Sequence, residues 1–416
     1  MMLQISAQPL LKSPLSVVLP FSKSIANRMI IMRYLSGSAL PLKLSESNDT
    51  HILEQLLQSI PVQQGMGIYN AEDAGTVFRF MAAVLAITPG KHVLTGTTRM
   101  LNRPIKPLVD ALCSLNANIN YLKKQGYPPL LIQGRKLTGY QVKLDASLSS
   151  QFGSALMMIA PGLENGLVIE LLGKVVSMPY LKLTATLMHM QGQDVEIKDN
   201  IISVAPGSLS FNHPISEGDW SSASFWFGLA ALVPGKEIIF ENLNQDSPQG
   251  DRCLLKLFEP LGVISTWQSK HLHIIKKHSG VSHFEADFTD CPDLLPAIAV
   301  SCAGMGISAS LKGISTLRLK ESDRVAAICD NLNRLGFKAI NNEHELKLLP
   351  VQNKTDRSKL IINAFGDHRI AMAFALLGAQ NRTIIIDTPG VVEKSYPQFW
   401  QHLEQAGVFL KEIQSL

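Results

Sequence analysis

The side chains best placed to do chemistry are basic ones in an unfavourable position. Lys23 and Arg28, Arg79, Arg252, Arg324 and Arg369 each stand in the opening turn of a helical run. A helix N-terminus carries a partial positive charge and unpaired N–H groups, so cations are disfavoured there unless both together bind an anion. Ser22 and Ser24, Ser149 and Ser150 with Gln151, Ser177, and Ser221 and Ser222 accompany them. Capping is the ordinary use of such hydroxyls. Local pairing, Arg324 with Glu321 or Arg369 with Asp367, is the ordinary use of such cations. Gly75, in the segment AGT, lets an anion approach the backbone closely. Asp293 and Glu321, the latter beside Lys320, are candidates for proton transfer, with structural ion pairing as the alternative. Asp49, Asp145 and Asp367 read as caps and turns, and His368 as structural. No G-x-x-x-x-G-K-[ST], H-E-x-x-H or G-x-S-x-G occurs, so these are anion sites without a nucleotide, zinc-protease or serine-hydrolase signature.

The elements that must carry these residues repeat. A small polar cluster followed by an apolar run begins at Ser22, Ala74, Ser149, Asp219, Asp293 and Asp367, at intervals of 52, 75, 70, 74 and 74 residues. An amphipathic series begins at Thr50, Arg103, Pro179, Asp251, Ser322 and Tyr396, at intervals of 53, 76, 72, 71 and 74. Both series open mostly on cap residues. Short β-branched segments such as HVLTG, LVIELLG, KEIIFENL and RTIIIDTP lie between them. The unit is therefore two helices with several strands, repeated six times. Helices apolar all round must be buried on every side, while the other series covers one face. Six units overfill a single core, so two domains of three units are expected. The boundary falls near 216–219, with residues 1–20 and 218–416 in one domain and 21–217 in the other.

Composition narrows the partners. The 416 residues carry 38 Lys+Arg against 34 Asp+Glu, a net charge of +4, with 46% hydrophobic and 17% charged residues. That balance excludes long disordered charged tails. Without a basic–aromatic stripe it also argues against a nucleic-acid or polyanion binder. The uncharged stretch from Leu294 to Leu311 contains Pro296, Gly304 and Gly306, and reads as a buried helix and strand joined by a glycine turn rather than a membrane span. The N-terminus lacks the pattern of a secretory signal. Five scattered cysteines without a C-x-x-C pair fit reduced thiols in a cytoplasm.

LPFSKSIANR, DAGTVFRF, TGTTRMLNRPIKPLVDAL, LDASLSSQF, SMPYLKLT, EGDWSSASF, SPQGD, DCPDLLPA, LRLKESDR, GDHRIAMA and VEKSYPQF occur in that order over nearly the whole chain. This motif set resembles that of the 5-enolpyruvylshikimate-3-phosphate synthase family. The resemblance implies an α/β fold of two globular domains, each of three βαβαββ units, with substrates in the interdomain cleft. It implies transfer of the enolpyruvyl group of phosphoenolpyruvate to the 5-hydroxyl of shikimate 3-phosphate, with release of phosphate. Carried over residue by residue, Lys23, Ser24, Arg28, Ser149, Ser150, Gln151, Ser177, Tyr180, Asp293 and Lys320 would meet shikimate 3-phosphate. Lys23, Gly75, Arg99, Gln151, Arg324, Arg369 and Lys394 would hold phosphoenolpyruvate. Asp293 would take the hydroxyl proton, and Glu321 with Lys320 or Lys23 would move protons near the methylene. Two substrates with a carboxylate and a phosphate each bring about six negative charges. Seven cations answer them, so no cofactor or metal is expected. A cytoplasmic monomer is expected.

Four positions depart from the family pattern: Phe21 for Gly, Asp73 for Asn, Phe80 for Pro and Thr316 for Asn. A carboxylate at Asp73, near two anions, should pair with a cation or be raised in pKa. The nearest rival, UDP-N-acetylglucosamine enolpyruvyl transferase, typically has a reactive cysteine in the loop matching Thr95–Asn102, where this chain has none.

Overall fold

The computed structural model describes residues 1–7, 14–60, 65–277, 280–350, 360–380 and 382–414. The chain forms two compact units, a continuous one of Ser22–Ser216 and a discontinuous one of Met1–Phe21 with Glu217–Leu416. Each has its own apolar core.

Twelve α-helices are present among the described residues, in the two interleaved series of the sequence. In the continuous unit they are α1 (Lys23–Ser36), α2 (Asn48–Ser59), α3 (Gly75–Ile87), α4 (Lys106–Ser114), α5 (Ser150–Ile159) and α6 (Met178–Met190). In the discontinuous unit they are α7 (Trp220–Leu232), α8 (Leu254–Phe258), α9 (Leu295–Met305), α10 (Arg324–Arg334), α11 (His368–Ala375) and α12 (Phe399–Gln405). The odd-numbered helices are the apolar series. Every residue of α7 and α11 is buried, whereas α12 buries Phe399 and Leu403 alone. The side chains of Ser22, Ser149, Asp219 and Asp367 cap α1, α5, α7 and α11 by accepting backbone N–H groups of the first turn. The uncharged stretch from Leu294 is α9, ended by Gly306 in the left-handed conformation, then the strand Ser308–Lys312. No described helix is long and apolar enough to cross a membrane.

Among the described residues five four-stranded sheets cover these helices, and all share one topology. In the sheet of Met66–Asn70, Gly90–Thr95, Asn118–Tyr121 and Leu130–Gly134, the first two strands are parallel across α3, and the fourth inserts antiparallel between second and third. Met66–Asn70 alternates exposed and buried residues, as a sheet covering a core on one face must. The N-terminus completes two sheets of the discontinuous unit. Leu15–Val17 pairs in parallel with Glu237–Phe240, and Met2–Ala7 lies between Ile384–Ile386 and Val408–Ile413.

The unit built on α1 and α2 differs from the expected βαβαββ pattern. No strand forms in 37–47 or 205–216, so among the described residues the continuous unit has two regular sheets rather than three. Pro41, Pro206 and Pro214 remove donors a ladder would need. Side chains do the pairing instead. The Gln191 amide, 2% exposed, donates to the His213 carbonyl at 2.8 Å and accepts from the N–H groups of Asn212 and His213. The Ser216 hydroxyl donates to the Lys43 carbonyl at 2.9 Å.

Candidate active site

In the continuous unit five helix starts are tied together by the predicted residues. Lys23, at the start of α1, pairs with Asp49 in the first turn of α2 at 2.9 Å. Asp49 is thus an ion-pair partner rather than a cap, and Ser47 caps that helix. Arg28 is 2% exposed and binds inward. It donates to Thr184 Oγ1 (2.7 Å), Ser154 Oγ (3.0 Å) and the carbonyls of Ser24 (2.9 Å) and Tyr180 (3.3 Å), joining α1, α5 and α6. Those bonds leave one Nη1 hydrogen for a ligand. Burial pulls Arg28 down to about 10, still cationic at neutral pH. The Phe80 ring lies 5.5 Å from its guanidinium, which gives the Pro-to-Phe departure a role as a cation–π support.

Gln151, in the first turn of α5, accepts from Arg79 Nη1 at 2.9 Å and donates to Thr76 Oγ1 at 2.9 Å, joining α5 to α3. Ser149 caps α5, and Ser150 beside it is buried. Ser177 precedes α6 in the left-handed conformation, φ 56°, without capping it. A non-glycine residue held there is strained, and such strain clusters at ligand sites. Gly75 is the first residue of α3. Arg99 is exposed before the 3₁₀ turn Met100–Asn102. The Asp73 carboxylate accepts from the Thr97 hydroxyl.

In the discontinuous unit the predicted acids and bases converge on Asp293. Its carboxylate meets Arg324 Nη1 at 2.8 Å, Arg369 Nη2 at 2.9 Å and Lys320 Nζ at 3.7 Å. Arg324, 1% exposed, also meets Glu321 and Asp367, each at 2.8 Å. Of the two local pairs expected, Arg324 with Glu321 forms. The Arg369 side chain turns to Asp293, while its backbone N–H takes the Asp367 cap. Asp367 is therefore both cap and buried counter-charge. Burial would raise the Asp293 carboxyl, but Arg369, Lys320 and Arg324 outweigh it and hold the group well below the ordinary carboxylate range. Lys394 ends the 3₁₀ turn Pro389–Lys394 and is half-buried. Thr316 is buried and its hydroxyl lacks a partner among the described residues.

Asp251 and Arg103 were not legible as site residues. Asp251 is 2% exposed and accepts from the Ser221 hydroxyl at the start of α7. Burial, then the nearby charge of Asp293, pushes it up to about 7. The folded chain thus keeps this proton after the unfolded chain, near 3.8, has lost it. Its contribution to stability therefore falls as pH rises from about 4 to about 7. Asp251→Asn should remove that decline, so the variant melts several degrees above the parent at pH 8 and level with it at pH 4. Differential scanning calorimetry at the two pH values checks this. The sequence shows Arg103 only as a charge before an amphipathic helix, and no one-dimensional signal brings it to Gly75, on which a Cβ would lie 2.5 Å from Nη1 of both Arg103 and Arg79.

The whole chain has relatives of this construction. The family model EPSP synthase (3-phosphoshikimate 1-carboxyvinyltransferase) matches residues 22–403. The 3-phosphoshikimate 1-carboxyvinyltransferase of Bacteroides fragilis is 38% identical over 398 residues, covering 95% of this chain and 96% of the relative. That of Colwellia psychrerythraea is 30% identical over 427 residues, covering 97% and 99%. The solved EPSP synthase of Acinetobacter baumannii superposes with a TM-score of 0.77 at 21% identity over 99% of this chain and 100% of the other, a likeness of fold. With a family match over nearly its full length and relatives at 30% identity or more, the chain belongs to the EPSP synthase (3-phosphoshikimate 1-carboxyvinyltransferase) family.

Proposed function

We propose that the two clusters divide the work of enolpyruvyl transfer from phosphoenolpyruvate to the 5-hydroxyl of shikimate 3-phosphate. The observation that carries this reading is the placement of Asp293, a carboxylate gripped by three cations that anionic substrates would also seek. Asp293, Glu321 and Asp367 match Lys320, Arg324 and Arg369 one for one. A substrate carboxylate or phosphate drawing on these cations weakens their hold on Asp293 and raises its basicity. The base is thus strengthened when ligand is present to use it.

Asp293 takes the proton of the 5-hydroxyl as its oxygen attacks C2 of phosphoenolpyruvate. The C3 methylene gains a proton from the Glu321 and lysine group, giving a tetrahedral intermediate. Phosphate leaves with its bridging oxygen, and loss of a C3 proton restores the vinyl group. Arg324, Arg369, Lys394, Arg99, Gly75, Gln151 and Lys23 hold phosphoenolpyruvate. Lys23, Ser24, Arg28, Ser149, Ser150, Gln151, Ser177, Tyr180, Asp293 and Lys320 hold shikimate 3-phosphate. Fixed cations and helix N-termini aimed at developing charge supply the stabilisation. The complete ligand set lies in one chain, which supports a monomer. Phosphorylated substrates support a cytoplasmic site of action.

Turnover in D2O tests the proton path. The C3 methylene of the product should acquire solvent deuterium, and Glu321→Gln should slow both product formation and incorporation by about a hundredfold or more. Product formed at the parent rate by Glu321→Gln would remove Glu321 from the path.

A further inference from the structure

Two thiols flank the acids of the discontinuous unit. Asp251 lies in the 3₁₀ turn Gly250–Cys253, which runs into α8, and Asp293 lies in the turn Pro292–Leu294, which runs into α9. Cys253 follows the first acid by two residues, and Cys291 precedes the second by two. The fold brings these sulfurs together, with the Cys291 thiol in hydrogen-bond contact with Cys253. Both are free thiols.

Their surroundings are unequal. Cys291 is 5% exposed and belongs to the apolar core, whereas Cys253 is half-buried at the margin of that core. Contact with Cys253, then burial, pushes the Cys291 thiol far above its usual range, so it keeps its proton. Cys253 is thus the sulfur that an oxidant reaches. The other cysteines are placed differently: Cys302 is 0% exposed within α9, Cys329 accepts from Asn341 Nδ2 at 3.2 Å, and Cys113 is exposed on α4. A disulfide needs its sulfurs about 2.05 Å apart, which neighbouring thiols reach with the least backbone movement.

We propose that Cys253 and Cys291 form a redox switch, closed by hydrogen peroxide to a disulfide that displaces Asp293 and slows turnover. The Cys253 sulfur attacks a peroxide oxygen, the O–O bond breaks, and water leaves with the Cys253 proton, giving a sulfenic acid. The Cys291 sulfur then attacks the Cys253 sulfur, the S–O bond breaks, and a second water leaves with the Cys291 proton. Two thiols lose two electrons in all, and the peroxide is reduced to water. Closure draws both turns inward. Asp293 is gripped by Arg324 at 2.8 Å and Arg369 at 2.9 Å, and a misplacement of about 1 Å at a reacting group costs up to about a hundredfold in rate. The loss of rate rests on the reading above that Asp293 is the base; formation of the disulfide does not.

Hydrogen peroxide is the probe, applied to the full chain, followed by alkylation of the remaining thiols and tryptic mass mapping. In chains that stay single on a non-reducing gel, the peptides of Cys253 and Cys291 should be found joined, two hydrogens lighter than their sum. The kcat for phosphate release should fall by about tenfold to a hundredfold in step with the joined fraction, and a dithiol reductant should restore it. Cys253→Ser should match the reduced parent and stay active under the same peroxide. Cys291→Ser removes the other sulfur and should behave alike, so a folding defect in one variant does not decide the matter. Separate peptides in the treated parent, joined peptides with unchanged kcat, or equal peroxide losses in the parent and both variants would each overturn the proposal. A reduced parent without turnover would overturn the functional reading instead, and the disulfide would then stand or fall on the peptide map.

Discussion

Asp293→Asn should lower kcat by about 10²–10⁴, the range spanned by loss of a positioned general base. Dissociation constants for both substrates should move by less than about tenfold, because the cations that hold them remain. The amide keeps the side chain's shape, and its oxygen can still accept from Arg324. Arg324 in turn keeps Asp367 and Glu321, each at 2.8 Å, so the fold has no reason to fail. A kcat equal to the parent's, measured by phosphate release at saturating substrates, would remove Asp293 from proton transfer.

Arg324→Leu should be the most destabilising single change at this site. Arg324 is 1% exposed and is the shared partner of Asp293, Glu321 and Asp367. Removing one member of a buried charge network leaves the others uncompensated and costs about 3–5 kcal/mol. The pH dependence should identify the cause. In the parent, Asp293 is held below its unfolded value, so the stability it contributes is present above about pH 4 and is lost only as pH falls through the lower folded value. In the variant Asp293 loses that cation while its burial remains, and its folded value rises. The folded state then binds more protons than the unfolded chain, and stability falls as pH rises. Urea midpoints should therefore differ more between parent and variant at pH 8 than at pH 5. An equal gap at both values would show that lost packing, rather than exposed like charge, is responsible.

The helices and sheets were legible because their determinants are local. Caps such as Ser22, Ser149 and Asp219 announce α1, α5 and α7, and the contrast between wholly apolar and striped helices separates centre from cover. Pairings across the chain were not legible. Nothing in Met2–Ala7 reveals that it lies between strands almost 400 residues away. Nor does the segment around Pro206 and Pro214 show that the Gln191 amide replaces a strand ladder. The same divide runs through the candidate site. Asp293, Arg324 and Arg369 stood out because each occupies an odd place in its own helical run. Asp251 and Arg103 take their character from neighbours distant in sequence, Asp251 from Ser221 and Asp293, Arg103 from Gly75 and Arg79.

Whether this chain carries out its family's reaction is tested most directly by phosphate release from phosphoenolpyruvate with each of two acceptors, shikimate 3-phosphate and UDP-N-acetylglucosamine, in parallel. Release should require shikimate 3-phosphate and yield its 5-enolpyruvyl ether in equal amount. Release with UDP-N-acetylglucosamine alone would contradict the account.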